Sequence, residues 1–477
     1  MKKTKIICSI GPSSCNPDVM EQMVNVGMNV ARINFSHATK EEKEGVVASV
    51  HEVRNRTGKH IAILYDTKGP EFRNGMLEND SINLVEGKTI RIVKENVLGN
   101  EERFSVNHPQ ALSCLKKGDT LLLENGLMKI EIISTEDDGV TGIVINGGVL
   151  GNKKSLSVPG VHLDIPFIGE QDREDIIYAC EHEGDYLALS FVSCKEDVIA
   201  AREILKEYHR EDMKIISKIE SATGMENLDS IVEVSDGIMV ARGDMGVEIP
   251  MEEVPIVQKR FIKECNRAGK MVITATQMLE SMTTNPRATR AEVSDVANAV
   301  FDGTGAIMLS GESAMGKYPV QCVETMTRIA TAVEASINYG RRFKRREYDL
   351  ETKNYEFYLA HSICSTALQM NAKAIFAYTE CGDTPKLLSS FLPCCPIYAV
   401  TSKEKTYKQL ALAWDVTPIL VKEDVPAKEL IAKGIEVAKQ AGYVASGDIV
   451  AIAGGESILP GNKDDVMNRT VGGVIRI

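Results

Sequence analysis

The chain has 477 residues, of which 43% are hydrophobic and 26% charged, and its formal net charge at pH 7 is -12. This length excludes a single small module, and the acidic charge argues against a nucleic-acid-coating protein, because phosphate neutralisation requires a surplus of basic residues. No run approaches the roughly 18 apolar residues of a membrane helix. The 11 cysteines form no C-x-x-C pair, so we expect reduced thiols in a cytoplasmic protein.

Eight short apolar runs rich in Ile, Val and Leu predict strands that are buried on both faces, as in a parallel sheet. They are residues 5–10, 28–35, 61–65, 186–192, 214–219, 237–241, 271–275 and 306–309. Segments with helical periodicity lie between most of them, at 17–26, 40–56, 170–183, 197–209, 251–267 and 290–301. A strand and a helix that alternate in this way predict an α/β fold, a (β/α)8 TIM barrel over 1–69 and 167–340.

A long connection after the third strand breaks this alternation. Residues 70–166 contain strand-like runs at 88–93, 120–123, 128–133 and 141–145, with a hairpin turn at 136–139. We predict that they form an inserted all-β lid domain over the barrel mouth, because the loops that follow barrel strands frame the active site.

The last part of the chain, residues 341–477, alternates again. The basic run at 341–346 is typical of a solvated linker rather than a nucleic-acid tag. Strand-like runs follow at 374–378, 397–400, 419–421 and 449–453, with helical stretches between them. We predict a separate C-terminal α/β domain with a parallel sheet.

Polar side chains gather at the predicted C-terminal ends of the barrel strands, where barrel enzymes carry their chemistry. A Lys-x-Glu pair such as Lys218 and Glu220 is by itself most often a surface ion pair. Its convergence with other polar strand ends at one barrel mouth favours a functional site instead. These other ends supply Arg32, Asn34, Ser36, Asp66, Thr67, Arg73, Gly243, Asp244, Thr276 and Ser310.

The cations and carboxylates of this set predict phosphoryl chemistry. Arg32, Arg73 and Lys218 suit a phosphoryl group whose charge must be stabilised during transfer. Glu220 and Asp244 suit Mg²⁺, which takes one or two carboxylates together with substrate oxygens and water. The residues alone thus indicate Mg²⁺-assisted phosphoryl transfer on a small molecule.

Two further groups of polar residues predict a site for a substrate carboxylate and a site for a monovalent cation. Backbone N–H groups at Gly243 and Asp244 open a helical segment and suit a substrate carboxylate. A second group of oxygen donors includes only one carboxylate, so it fits a monovalent cation better than a divalent one. Its members are Asn34, Ser36, Asp66 and Thr67.

Six longer motifs resemble those of the pyruvate kinase family across the whole chain. They are 31–37 (ARINFSH), 66–71 (DTKGPE), 216–220 (ISKIE), 239–244 (MVARGD), 275–282 (ATQMLESM) and 308–312 (MLSGE). The resemblance implies transfer of phosphate from phosphoenolpyruvate to ADP, which gives pyruvate and ATP in the last step of glycolysis. It also implies Mg²⁺ and K⁺ as cofactors and a homotetramer.

The resemblance assigns a role to each matching residue. Lys218 would stabilise the phosphoryl group in flight, beside Arg32 and Arg73. Glu220 and Asp244 would hold the catalytic Mg²⁺. The carboxylate of the substrate would lie against Gly243, Asp244 and Thr276, and the water route to the enolate along Thr276 and Ser310. The nucleotide would contact Pro12, Asn34, His37 and Arg73, and K⁺ would bind Asn34, Ser36, Asp66 and Thr67.

Two other functions stay open at this point. A barrel lyase or aldolase acting on enolpyruvate-type substrates would use similar Mg²⁺ ligands without needing Lys218 and two arginines. A catalytically inactive regulatory relative would be expected to lack Lys218, Glu220 or Asp244, and all three are present. Two acidic loops at 379–384 and 459–465 match the effector loops of sugar-bisphosphate-activated relatives, and their carboxylates predict little activation by fructose 1,6-bisphosphate.

Overall fold

The computed structural model describes residues 2–36, 38–345, 355–422, 427–455 and 470–477. In chain order its strands are β1 (Lys5–Ser9), β2 (Val30–Asn34), β3 (Ala62–Asp66), β4 (Ser81–Leu84), β5 (Thr89–Val93), β6 (Arg103–Ser105), β7 (Thr120–Leu123), β8 (Met128–Glu136), β9 (Gly139–Asn146), β10 (Gly148–Gly151), β11 (Leu156–Ser157), β12 (Tyr186–Leu189), β13 (Lys214–Ile219), β14 (Gly237–Ala241), β15 (Met271–Ala275), β16 (Ala306–Leu309), β17 (Ala374–Tyr378), β18 (Ile397–Thr401), β19 (Val416–Leu420), β20 (Ile449–Gly455) and β21 (Thr470–Arg476).

The α-helices mostly follow the strands of the barrel and of the C-terminal sheet. They are α1 (Pro17–Val26), α2 (Lys40–Thr57), α3 (Glu170–Glu181), α4 (Lys195–Glu207), α5 (Ala222–Glu226), α6 (Leu228–Val234), α7 (Arg242–Glu248), α8 (Val254–Ala268), α9 (Arg290–Asp302), α10 (Gly311–Ala314), α11 (Pro319–Ser336), α12 (Tyr339–Arg345), α13 (Tyr355–Gln369), α14 (Asp383–Ser390), α15 (Glu404–Gln409) and α16 (Ala427–Gln440). Of the helices described here, none is both long and apolar enough to cross a membrane.

Eight parallel strands close into a barrel in the spatial order β1-β16-β15-β14-β13-β12-β3-β2. Each of the eight apolar runs predicted from the sequence coincides with one of these strands to within a few residues, so the TIM barrel is confirmed. The strands are buried almost throughout, because helices cover the outer face and side chains fill the interior. All eight C-terminal ends therefore meet at one mouth.

The lid is an all-β insertion between β3 and β12, with a hydrophobic core of its own. Its strands form a two-stranded sheet, β10-β4, and a six-stranded sheet, β11-β7-β8-β9-β5-β6. The predicted hairpin turn joins β8 to β9 through Asp137 and Asp138. The domain limits given above stay predictions.

The C-terminal sheet differs from the all-parallel arrangement expected from the sequence. Its order is β19-β18-β17-β20-β21, and β21 pairs antiparallel with β20. The sequence signal of β21 is weak because Gly472 and Gly473 interrupt the run.

The prediction of a solvated linker at the basic run is also wrong for residues 341–345. These residues belong to helix α12. Phe343 anchors this helix in the hydrophobic core of the C-terminal domain. Arginine and lysine favour helices, and one buried aromatic side chain is enough to seat the helix on the domain.

The C-terminal domain closes the end of the barrel opposite the mouth. Ala411 and Leu412 pack in one buried cluster with Leu64 and Tyr186 of the barrel strands. The hydroxyl of Tyr186 donates to the carbonyl oxygen of Gln409. This end is thus sealed by tertiary packing, and the mouth is the open end of the barrel.

Candidate active site

A cleft of about 590 Å³ lies between the lid and the mouth of the barrel. Its lining includes Glu71 and Arg73 at the start of the lid, and Glu220 and Asp244 from the barrel. The hydroxyl of Ser157 on β11 donates to Glu248 Oε1 of α7 over 2.5 Å, which joins lid to barrel at the edge of the cleft. Of the predicted polar strand ends of the barrel, Glu220 and Asp244 line this cleft.

Asp66 joins two of the predicted cations. Its Oδ2 accepts from Arg32 Nε over 2.6 Å, and its Oδ1 lies 3.1 Å from Lys218 Nζ. Asp66 is fully buried. Burial alone would raise the pKa of its carboxyl, but the charges of Arg32 and Lys218 hold this pKa below its ordinary value. Asp66 therefore stays ionised and fixes both cations at the mouth.

Lys218 lies among three acceptors. Besides Asp66, its Nζ contacts Glu220 Oε1 at 3.1 Å and Ser190 Oγ at 2.6 Å. Burial lowers the pKa of this ammonium, but Asp66 and Glu220 outweigh it, so that the pKa is raised overall. The Lys218–Glu220 pair is thus buried at the C-terminal end of β13 and is not a surface ion pair.

Glu220 and Asp244 form a donor set that suits a divalent cation. Burial raises the pKa of Glu220 to about 7; Lys218 opposes this shift, and the negative charge of Asp244 adds to it. A bound cation would relieve the repulsion between the two carboxylates. Within the described ranges, no group of three or more His, Cys, Asp and Glu side chains could hold a metal. Mg²⁺, which takes only one or two carboxylates, fits the pair.

Thr276 and Gly243 meet across two neighbouring strand ends. Strand β15 ends at Ala275, and Thr276 has a φ of 67°, in the left-handed region. The N–H of Gly243 donates to Thr276 Oγ1 over 2.8 Å. This N–H, which the sequence assigns to a substrate carboxylate, is therefore bound to the Thr276 hydroxyl in this structure.

The guanidinium of Arg242, to which the sequence analysis assigns no role, holds this strained turn. Arg242 Nη2 donates to the carbonyl oxygen of Thr276 over 2.7 Å, and its Nη1 pairs with Asp295 at 2.7 Å. Left-handed backbone at a non-glycine residue persists only where the surroundings enforce it. Arg242 supplies that restraint.

Arg73 lies on the lid side of the cleft, apart from the pair of cations around Asp66. It binds the carboxylate of Glu71 and donates to the carbonyl oxygen of Lys153 over 2.7 Å. The structure thus brings Arg32 and Lys218 together on one carboxylate, whereas the third predicted cation, Arg73, pairs with Glu71 in the lining of the cleft.

The predicted ligands of the monovalent cation lie at the ends of β2 and β3. Asn34 and Asp66 are register partners in adjacent strands, and Asn34 Oδ1 accepts from the N–H of Ser36 over 3.1 Å. The hydroxyl of Thr67 accepts from the N–H of Ser190 over 3.2 Å. These four residues are brought together, as expected from the strand order.

The remaining predicted residues are spread around the mouth. Pro12 lies in the turn after β1, in which the N–H of Cys15 donates to the carbonyl oxygen of Gly11 over 2.8 Å. The N–H of Ser310, after β16, donates to the buried carboxylate of Glu312 over 2.8 Å. His37 lies outside the described residues.

Ser190 and Phe191 are the site residues that the sequence analysis missed at the end of the fourth strand. The N–H of Phe191 donates to Glu220 Oε2 over 2.7 Å, beside the Ser190 contact with Lys218. Their signal is a serine near the C-terminal end of an otherwise mostly apolar run, 186–192.

Comparison with known proteins identifies relatives along nearly the whole chain. Residues 1–323 match the family model of the pyruvate kinase barrel domain, and residues 358–467 match that of the pyruvate kinase alpha/beta domain. A pyruvate kinase from Sporosarcina psychrophila is 44% identical over 95% of this chain and 78% of its own. One from Clostridium acetobutylicum is 43% identical over 95% of this chain and 96% of its own.

A solved structure agrees with these sequence relatives. The crystal structure of a pyruvate kinase from Cryptosporidium parvum superimposes with a TM-score of 0.94 at 36% sequence identity. The match covers 100% of this chain and 96% of the other. Barrel, lid and C-terminal domain are therefore all shared with it.

Proposed function

Because the chain belongs to the pyruvate kinase family, and is accordingly a phosphotransferase, we propose that it transfers the phosphoryl group of phosphoenolpyruvate to ADP with the help of Mg²⁺ and K⁺. The observation that carries this proposal is the buried ammonium of Lys218. It is held at the barrel mouth by Asp66 and Glu220, beside Arg32. A buried, fixed cation beside Glu220, a carboxylate that lines the cleft, suits phosphoryl transfer.

The chain's own residues account for binding and transfer of the phosphoryl group. Arg32 and Lys218 bind its oxygens, and Asp66 keeps both cations in place. Charge spreads over the phosphoryl oxygens as it leaves the donor, so a preorganised ammonium stabilises the transition state more than the ground state. Arg73 faces the group from the lid side of the cleft.

Glu220 and Asp244 would hold Mg²⁺ in this reaction. The metal would supply a positive charge that neutralises the developing charge on the oxygens. The raised pKa of Glu220 supports this assignment, because a buried carboxylate beside a second one favours a cation. A second Mg²⁺ would travel with the nucleotide.

The product enolate must be protonated at carbon. The ends of β14, β15 and β16 supply polar groups for this step. Gly243, Asp244 and Thr276 would position the carboxylate of the substrate. Thr276 and Ser310 would line the water route that brings the proton. The substrate carboxylate would then replace the Thr276 hydroxyl as the acceptor of the Gly243 N–H.

The ligands of K⁺ and of the nucleotide are the remaining parts of the proposal. Asn34, Ser36, Asp66 and Thr67 would bind K⁺, and their proximity at the ends of β2 and β3 supports this. Pro12, Asn34, His37 and Arg73 would contact ADP. A cytoplasmic homotetramer is proposed from the family alone.

An assay that couples pyruvate formation to a second enzyme tests the activity. With phosphoenolpyruvate, ADP, Mg²⁺ and KCl, we expect pyruvate and ATP to form in equal amounts. Pyruvate formed without ATP would indicate hydrolysis of phosphoenolpyruvate to pyruvate and inorganic phosphate, with no transfer to ADP. A folded protein that binds phosphoenolpyruvate but forms neither product would indicate a regulatory relative, and either result would contradict the proposal.

A further inference from the structure

The hydroxyl of Ser190 contacts the ammonium of Lys218, and we propose that Ser190 is a positioning residue that aims this ammonium at the phosphoryl group. The inference rests on the proposed function, since it concerns the same transfer step. Ser190 follows β12, whereas Lys218 lies on the neighbouring strand β13. The contact therefore exists only because the barrel brings the two strand ends together.

The hydrogen-bond chemistry of the hydroxyl fixes its orientation. Ser190 Oγ lies 2.7 Å from the carbonyl oxygen of Thr67 and 2.6 Å from Lys218 Nζ. A hydroxyl has one hydrogen, and a carbonyl oxygen only accepts, so Ser190 donates to Thr67. Its lone pairs then face Lys218, whose ammonium only donates.

The ammonium of Lys218 has three N–H groups, and the structure supplies three acceptors. They are Asp66 Oδ1, Glu220 Oε1 and Ser190 Oγ. Ser190 is the neutral one among them. It therefore holds one N–H of the ammonium in place without cancelling more of the positive charge, which acts on the phosphoryl oxygens.

The backbone around Ser190 leaves the hydroxyl little freedom. Gly69 has a φ of 73°, and a Cβ placed there would come within 2.9 Å of Ser190 Cβ. Phe191 has a φ of 58°, in the left-handed region, and its N–H is bound to Glu220. Ser190 itself is only 2% exposed. A hydroxyl held in this way is preorganised for the transition state.

The position of Ser190 also links two parts of the site. Its Oγ lies 3.3 Å from Asp66 Oδ1, and its N–H donates to Thr67 Oγ1 over 3.2 Å. Asp66 and Thr67 are proposed K⁺ ligands, so Ser190 contacts these ligands and Lys218 at once. Loss of the hydroxyl should therefore disturb the ammonium directly, while Arg32 keeps its bond to Asp66.

The test compares Ser190→Ala and Ser190→Cys with wild type and with the control Ser217→Ala. Ser217 is a buried serine on β13 whose Oγ lies 2.7 Å from Ser235 Oγ, and we place it in no catalytic or binding role. We expect Ser190→Ala to lower kcat by about 10- to 100-fold while the KM for phosphoenolpyruvate changes less than about 3-fold. Ser190→Cys should behave like alanine, because a thiol is a weak acceptor.

Thermal unfolding of each variant shows whether a loss of activity comes from a loss of folding. If Ser190→Ala does not fold, Ser190→Cys, which keeps the shape of the side chain, is used for the test. A kcat within about 2-fold of wild type for either Ser190 variant would overturn the inference. So would an equal loss of kcat in Ser217→Ala, or a rise in KM without a fall in kcat. The wild type is assayed beside the variants. If it forms no pyruvate and ATP, the proposed function is wrong, and this result is distinct from any difference between the variants.

Discussion

The carboxylate of Glu71 binds the guanidinium of Arg73 through two parallel hydrogen bonds, 2.8 Å from Nε to Oε2 and 2.7 Å from Nη2 to Oε1. Lys68 Nζ lies 3.4 Å from the same carboxylate. Burial by itself raises the pKa of Glu71, but its bonds with Arg73 lower it overall. Glu71 therefore stays charged and neutralises the cation on the lid side of the cleft.

This pair leads to a prediction about potassium. The resemblance to the pyruvate kinase family implies that relatives with lysine at the position of Glu71 work without K⁺, whereas those with glutamate recruit it. We expect activity of the wild type to be low in tetramethylammonium buffer and to rise strongly with KCl. Glu71→Lys should reduce this dependence, because a lysine supplies a fixed positive charge in the cleft. Initial rates against KCl concentration measure the effect.

A matched charge reversal controls for the net charge of the lid. Glu86 is exposed and lies outside the cleft lining, so Glu86→Lys should keep the K⁺ dependence of the wild type. Full wild-type activity in a buffer free of K⁺ and NH₄⁺ would contradict the assignment of Asn34, Ser36, Asp66 and Thr67 to this cation.

Lys218→Met should separate binding from transfer. The ammonium acts mainly while the phosphoryl group is between donor and acceptor, so its loss should lower kcat by roughly 1,000-fold or more. Phosphoenolpyruvate binding should fall much less than kcat, because Arg32 remains on Asp66. Steady-state kinetics and ligand titration measure both effects. The control is Lys206→Met, at an exposed lysine of α4. If the kcat of Lys218→Met lay within a few-fold of this control, Lys218 would not stabilise the phosphoryl group during transfer.

The effector loop of the C-terminal domain should respond little to fructose 1,6-bisphosphate. Glu380 accepts from the Tyr378 hydroxyl over 2.9 Å, and Lys386 Nζ lies 3.5 Å from Asp383, so the nearby lysine is already paired. Carboxylates at such a site repel a phosphate. The matching second loop, 459–465, lies outside the described residues.

Titration of the sugar at subsaturating phosphoenolpyruvate tests this expectation, and a large fall in the apparent KM would refute it. The double variant Glu380→Gln with Asp383→Asn removes both carboxylates and leaves Lys386 in place. We expect it to bind the sugar more tightly than the wild type does, since the repulsion is gone.

His60 should make folding stability fall in mild acid. Its half-buried ring packs against Tyr407, with ring centroids 4.9 Å apart, and its solvent-shielded Nε2 has no hydrogen-bond partner in the described part of the chain. Burial, and then the charges of Lys5 and Arg54, lower its pKa from 6.5 to about 3. Below about pH 6.5, His60 is therefore protonated in the unfolded chain but stays neutral in the folded chain, which lowers the free energy of unfolding. The full free energy of unfolding is present above the pKa that His60 has in the unfolded chain, and part of it is lost as the pH falls towards the pKa of the folded chain.

The variant His60→Phe keeps a ring against Tyr407 and cannot titrate. Between about pH 7 and pH 5, we expect the wild type to lose about 1 to 2 kcal/mol more of its unfolding free energy than this variant does. Urea unfolding at both pH values measures the difference. Equal losses in the two proteins would show that His60 is protonated in the folded state.

Some features of this chain could be predicted because their signals are local. The barrel strands are apolar runs, and alternation along β13 places Lys218 and Glu220 on one face whatever the rest of the chain does. The polar ends of β2 and β3 were predicted to share a site because parallel strands end at one edge. Weaker local signals gave wrong predictions, as for β21 with its two glycines and for α12 with its basic run.

The sequence by itself determined the barrel with its inserted lid, the C-terminal domain and the types of residue at the mouth, because strand periodicity and residue chemistry are properties of short segments. Only the tertiary structure decided which groups touch. Ser190 meets Lys218 across two strands, the N–H of Gly243 meets the Thr276 hydroxyl, and Asp66 binds two cations from different strands. These contacts depend on the register that closes the barrel, and the register is fixed by packing between residues far apart in the chain.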